Sequence, residues 1–269
     1  IPLVTRLSNI KVPGADIDIR HVAHHRFAIV LRGLGLNSDI ADTDPQQTGV
    51  PPLPAVARSE ASKHSASLLN QWIDATQPIL ANETAANMVT LRGFSGDPQL
   101  PPLEHLYSLK AGCIAVFPMY LGIARLTGMN TIPFSGISPR EQFASLRAER
   151  SNFDFFFIHI KETDTLGEDG DFDGKVAAIE AIDTALQEIL EFRPDVLVVT
   201  GDHSTPARMR AHSWHPVPLL LWAPETVRQD TSTEFGERSC TTGGLGRFPA
   251  SDLMPLIMAH AGRLEKFGA

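Results

Sequence analysis

At 269 residues, with 43% hydrophobic and 20% charged side chains, the chain can bury one large core or two modest ones. A formal net charge of -8 argues against a nucleic-acid surface, which needs a basic stripe, and fits poorly with an anionic membrane face. The only cysteines, Cys113 and Cys240, form no C-x-x-C pair, which excludes a disulfide framework and points to a cytoplasmic location.

The chain begins at Ile1 and not at methionine, so a preceding segment is expected. Residues 27–32 (FAIVLR) and 88–93 (MVTLRG) are short apolar or β-branched runs that lead into Arg-Gly, and both predict strands that deliver an arginine to a loop. Between them lie a polar, proline-rich surface loop at 42–54 and a helical pattern over 59–80. Pro101-Pro102 marks a boundary, giving domains at 1–102 and 103–269. Beyond it, the spacing predicts an apolar helix over 109–126, opened by Lys110, and a short strand at 131–134. Pro118 and Gly122 break this apolar run, which is too short to span a bilayer.

Residues 155–160 (FFFIHI) form the continuous apolar run of a buried parallel strand. Val176, Ile179, Ile182, Leu186, Ile189 and Leu190 recur at helical spacing over 174–190. Two more buried strands are predicted at 196–200 and 217–222, and a closing helix over 251–261 has Ser251 as its cap. Strands alternating with helices predict an α/β fold with a mostly parallel sheet.

In such sheets ligands bind beyond the carboxyl ends of the strands. The first of these three strands runs into Asp164 and Glu168, the second into Asp202 and His203, and His212 lies just before the third. Carboxylate together with imidazole suits manganese or zinc, and a carboxylate-rich set suits magnesium. Taken singly, Asp164 or Asp202 could be a helix cap and His212 a surface histidine. Arg32, Arg92 and Lys110 suit phosphate or carboxylate recognition, although surface ion pairing alone would also account for them. Asp169, Asp171, Asp173 and Glu180 fit the EF-hand spacing, but a strand and not a helix leads into them. We therefore expect Asp171 or Asp173 to start a helix that contains Glu180.

Several stretches in order resemble one family: HRFAIVLRGLGL (25–36), DTDP (42–45), LRGFSGDPQLP (91–101), LKAGCIAVFPMYLGIARLTGM (109–129), DGDFDGKVAAIEAID (169–183), TGDHSTP (200–206), HSWHPVPLLL (212–221) and the closing run 237–269 that ends in LEKFGA. They are similar to the archaeal-type cofactor-independent phosphoglycerate mutases of the alkaline phosphatase superfamily. The resemblance implies an alkaline-phosphatase-like, mostly parallel sheet flanked by helices. A smaller α/β substrate-binding domain (1–102) is inserted, and 103–269 is the C-terminal part of the metal-binding domain. The N-terminal part of the catalytic domain, with an aspartate and the nucleophilic serine, would lie upstream, so this chain alone is expected to be inactive. Two divalent ions, manganese or magnesium with zinc open, are implied: Asp202 and His203 for one, and Asp164, Glu168 and His212 for the other. The family usually has histidine where Glu168 stands, and a carboxylate there favours harder ions. Arg32, Arg92 and Lys110 match positions that contact phosphoglycerate. No nucleic-acid or membrane partner is expected, and a homo-oligomer stays open. The alternatives are a related phosphatase or phosphotransferase, for example one like homoserine kinase, or a non-catalytic metabolite-binding remnant. An upstream segment bearing the serine would separate these readings.

Overall fold

A computed structural model describes residues 2–23 and 25–264. Residues 265–269, which hold most of the closing LEKFGA run, lie outside them. The chain divides into two compact units, Ile1–Gln99 and Leu100–Ala269.

The first unit contains helix α1 (Pro2–Leu7), strands β1 (Asp16–Ala23), β2 (Arg26–Arg32), β3 (Ile40–Ala41) and β4 (Val56–Ala57), and helix α2 (Lys63–Leu80). Strands β1 and β2 pair antiparallel, with Asp16 opposite Arg32, and β3 pairs antiparallel with β4. Helix α2 turns Ala66, Leu68, Leu69, Trp72 and Leu80 inward at three- and four-residue spacing, where they join Ile17 and Ile19 in one core. The Trp72 side chain is 0% exposed and its ring centroid lies 6.1 Å from that of Phe27. Residues 88–93, predicted as a strand, are assigned to no strand. Val89 and Leu91 are buried while Met88, Thr90 and Arg92 are exposed, a strand-like alternation. Its backbone hydrogen bonds among the described residues, however, go to Thr43 and Asp42 and form no ladder.

The second unit contains α3 (Leu103–Tyr107), β5 (Ala111–Ala115), α4 (Pro118–Leu126), β6 (Asn130–Thr131), α5 (Pro139–Glu149), β7 (Phe155–His159), α6 (Glu162–Asp169), α7 (Phe172–Leu190), β8 (Leu197–Thr200), β9 (Leu219–Trp222), α8 (Glu237–Cys240) and α9 (Leu253–His260). Strands β6, β5 and β7 form a parallel sheet with β5 in the middle and buried throughout. Ile114 of β5 packs with residues of α5 and α7, whereas Cys113 and Ala115 pack with Ala124 of α4, giving a helix–sheet–helix sandwich. Asp154, just before β7, accepts from the Lys110 backbone N–H at 3.0 Å and from Arg263 at 2.9 Å, which ties the starts of β5 and β7 together.

Three expectations for this unit change. The single helix over 109–126 is a strand followed by a helix: β5 fits between two partners, and Pro118, at the first position of α4, starts the helix there. Lys110 therefore precedes the central strand. Strands β8 and β9 pair antiparallel with each other because the chain between them turns back without a crossover helix. Ser251 does not cap α9: the chain enters through a 3-10 turn over Ala250–Asp252, and the Ser251 hydroxyl bonds the Asp252 carboxylate at 3.3 Å. Asp171, as expected, caps α7, accepting from the Gly174 N–H at 2.9 Å, and Glu180 lies well inside that helix. No helix among the described residues is long and apolar enough to cross a membrane.

Candidate metal centre

The carboxyl end of β7 leads through Lys161 into α6, which places Asp164 and Glu168 four residues apart on one face. Gly170, with φ +76, ends α6 in the left-handed conformation that glycine adopts without a steric penalty. Strand β8 ends at Thr200 and delivers Asp202 and His203, and the loop then returns toward β9. A bridge between Ser204 and Ser213, with the Ser213 N–H 2.9 Å from the Ser204 carbonyl, brings the strand-exit and strand-entry segments together. Their neighbours His203 and His212 consequently face each other with ring centroids 4.0 Å apart.

Four carboxylate–imidazole distances define the cluster. His212 Nε2 lies 3.6 Å from Asp164 Oδ1 and 3.3 Å from Glu168 Oε1. His203 Nδ1 lies 3.8 Å from Asp164 Oδ1, and its Nε2 lies 3.7 Å from Asp202 Oδ2. Asp164, His203 and His212 each offer a ligand atom within 4.8 Å of the other two. Ligand atoms around one divalent ion sit about 3–4 Å apart, a spacing that His212 keeps with Asp164 and Glu168 and that His203 Nε2 keeps with Asp202, so the donors fit divalent ions in both spacing and chemistry. Asp164, Glu168, Asp202, His203 and His212 are therefore brought together. Lys110 is not: the parallel register sets Ala111 against Phe155 and Ala115 against His159, so Lys110 stands at the opposite end of the sheet. There its ammonium lies 5.4 Å from the Phe153 ring centroid. In the first unit, Arg92 pairs with Asp44 at 3.4 Å on the wall of an open cavity of about 500 Å³. Arg32 is the last residue of β2.

Four further residues shape the cluster, and the sequence singled out none of them. Lys161 donates to Asp164 Oδ2 and lies 5.4 Å from the Phe117 ring centroid. Thr205 approaches both Asp164 and His203. Tyr120 of α4 donates to Asp202 Oδ2, and its ring stacks on His159 with centroids 3.5 Å apart. His159 has a buried Nδ1 without a hydrogen-bond partner among the described residues, and its backbone carbonyl accepts from Gln142 at 2.9 Å. The signal available was chain position: His159 ends a strand, and Thr205 follows the Asp-His pair by two residues.

The electrostatics follow from these contacts. Burial opposes the charged form of Asp164, but hydrogen bonds from Lys161 and Thr205 more than offset it, and the carboxyl is held below its ordinary range. Burial likewise opposes ionisation of Asp202, and hydrogen bonds, the Tyr120 hydroxyl foremost, again reverse the balance and hold the carboxyl below its ordinary range. Burial, followed by the hydrogen bond to Asp202 and the negative charges, pushes the Tyr120 phenol up. Burial chiefly lowers His159, disfavouring its charged form. Ionised carboxylates beside imidazoles form a ready ligand set.

Residues 27–260 match the Metalloenzyme superfamily. The chain is 44% identical over 261 residues to a protein of Thermus thermophilus named probable 2,3-bisphosphoglycerate-independent phosphoglycerate mutase, covering 96% of this chain and 64% of that protein. A protein of the same name from Aquifex aeolicus is 44% identical over 263 residues, with the same 96% and 64% coverage. Among solved structures, the PH0037 protein from Pyrococcus horikoshii aligns with a TM-score of 0.63 at 32% identity, over 66% of this chain and 57% of that one. A cofactor-independent phosphoglycerate mutase from Thermoplasma acidophilum aligns with a TM-score of 0.70 at 23% identity, over 97% of this chain and 69% of that one, a likeness of fold. The chain thus spans 64% of the length of the curated relatives it matches.

Proposed function

The chain belongs to the Metalloenzyme superfamily, and from that premise we propose that it is part of a phosphoglycerate mutase, an isomerase of lower glycolysis that interconverts 3- and 2-phosphoglycerate. The observation that carries this reading is the meeting of Asp164, His203 and His212 within 4.8 Å, in a chain whose relatives bear that name. Asp164, Glu168 and His212 would hold one divalent ion, and Asp202 and His203 a second, whose remaining ligands would come from residues outside this sequence. Two such ions would neutralise charge on phosphoryl oxygens and acidify a hydroxyl nucleophile. Glu168 tilts the first site toward magnesium or manganese over softer ions.

This chain's own groups orient the ligands. Lys161 holds one oxygen of Asp164, leaving the other toward His212, and Tyr120 fixes Asp202. The reaction in this reading passes the phosphoryl group from one glycerate hydroxyl to a serine outside the present sequence. The glycerate turns, and the phosphoryl group returns to its other hydroxyl, so nothing is gained or lost overall. Arg32 and Arg92 are proposed as guanidinium contacts for anionic groups of the substrate. The first unit is proposed as the substrate-binding insertion and the second as part of the metal-binding domain, working in the cytoplasm.

The test is an assay that couples 2-phosphoglycerate formation to enolase. It compares this chain with a version extended to the length of its relatives, with Mn²⁺ or Mg²⁺. We expect robust turnover from the extended version and at least about a thousandfold less from the 269-residue chain, because loss of a nucleophile leaves the other groups nothing to activate. An extended version that hydrolyses phosphate esters without isomerising phosphoglycerate would move the assignment to a phosphatase.

A further inference from the structure

We propose that the Thr205 hydroxyl sets the tautomer of His203 and thereby ties the Asp164–His212 ligand group to the Asp202–His203 pair, making Thr205 a positioning residue of the centre. The role in ion binding rests on the metal-site reading above, whereas the tautomer assignment stands on hydrogen-bond chemistry alone. Thr205 Oγ1 lies 2.5 Å from Asp164 Oδ1 and 3.0 Å from His203 Nδ1. A hydroxyl has one proton to give and lone pairs to receive. A carboxylate can only accept, so the Thr205 proton goes to Asp164. The contact with His203 must then run the other way, with Nδ1–H donating to Thr205 Oγ1. The lone pair of the neutral imidazole is left on Nε2, the nitrogen 3.7 Å from Asp202 Oδ2. The opposite tautomer would point the Nδ1 lone pair at a lone pair of the hydroxyl.

Thr205 is itself fixed. It is 5% exposed, so water has little access to replace its contacts. Its carbonyl accepts from Lys175 Nζ at 2.7 Å. Beside the same carbonyl lies Gly167 of α6, where an added Cβ would come within 2.3 Å of its oxygen. Only glycine lets the two segments approach so closely. One hydroxyl thus orients a ligand from the β7 end of the unit and a ligand from the β8 end. Groups of this kind fix ring orientation and tune ion affinity without touching the ion.

The test uses long-range ¹H–¹⁵N correlation of the imidazoles in metal-free protein at about pH 8. The His203 signal is assigned by its loss in His203→Gln. We expect the Nδ1–H form in the native protein and in Thr205→Ser, and a shift toward Nε2–H in the near-isosteric Thr205→Val. Mn²⁺ affinity, read from the signal of free ion, should fall about 10–100-fold in Thr205→Val and return in Thr205→Ser. A purely space-filling role would leave the tautomer unmoved and would not be rescued by serine. An Nε2–H form in the native protein, or Thr205→Val with unchanged tautomer and affinity, overturns the proposal. Should Thr205→Val not fold, the native and serine spectra still decide the assignment. Native protein that shows the Nδ1–H form but takes up no Mn²⁺ supports the tautomer assignment and defeats the metal-site reading instead.

Discussion

Helix α2 of the first unit and helix α7 of the second carry comparably regular apolar spacing, yet they are used differently. Helix α2 sinks its apolar face into one continuous core, with Trp72 and Leu80 at or below 2% exposure. Helix α7 buries Ala185 and Ile189 but leaves Val176, Ile179 and Leu190 more than a third exposed. In the second unit, order at the carboxyl end of the sheet comes from polar groups: Gln142 on the His159 carbonyl, Thr205 between two ligands, and Tyr120 on Asp202. Apolar filling tolerates conservative change and fails by leaving cavities. A polar network fails when one partner is lost, because the remaining groups stay buried and unpaired.

The largest effect that would sharpen this contrast is Trp72→Ala. Removing a fully buried indole should cost about 3–5 kcal/mol in a urea titration, while Mn²⁺ affinity stays within about twofold, since every proposed ligand lies in the second unit. A parallel collapse of ion binding would break the comparison. Gly167→Ala should cost less, about 1–3 kcal/mol, because one methyl pushes on the Thr205 carbonyl. It should nevertheless weaken Mn²⁺ binding by about tenfold or more, reversing the order expected for Trp72→Ala. The smallest expected effect is at Asp154. The Lys110 N–H foremost, and then Arg263, hold its carboxyl below the ordinary range against the opposing effect of burial. A depressed folded-state value stabilises above the unfolded-state value of about 4, and that stabilisation disappears as pH falls through the folded-state value. Asp154→Asn should therefore lower Tm at neutral pH, and the deficit should close on acidification. A deficit that is constant with pH would mean that lost packing, not charge, is responsible.

The helices with sustained spacing, α2 and α7, were legible in the sequence, as were the strands whose ends carry Asp164, Asp202 and His203. Strand β5 read as a helix because Ala111, Gly112 and Cys113 carry no β-branched pattern, and only its two neighbours in the sheet make it a strand. Helix α6 went unforeseen because its threonines and Gly167 are weak helix formers, yet it sets Asp164 and Glu168 on one face. The ligand residues themselves could be found from their types and their places after strands. Their supporting contacts could not: Tyr120 meets Asp202 across 82 positions, and Thr205 meets Asp164 across 41. Such pairings are properties of the closed fold.

Cys113 lies in the middle of the central strand, at 0% exposure, and burial pushes its thiol up to about 11. A thiol so protonated and enclosed cannot meet an alkylating reagent until β5 leaves its neighbours. Its rate of labelling near neutral pH therefore counts excursions of the sheet itself, one molecule at a time. Beside Cys240, which is only partly covered, the chain contains both a slow clock for opening of that sheet and a second thiol against which to set it.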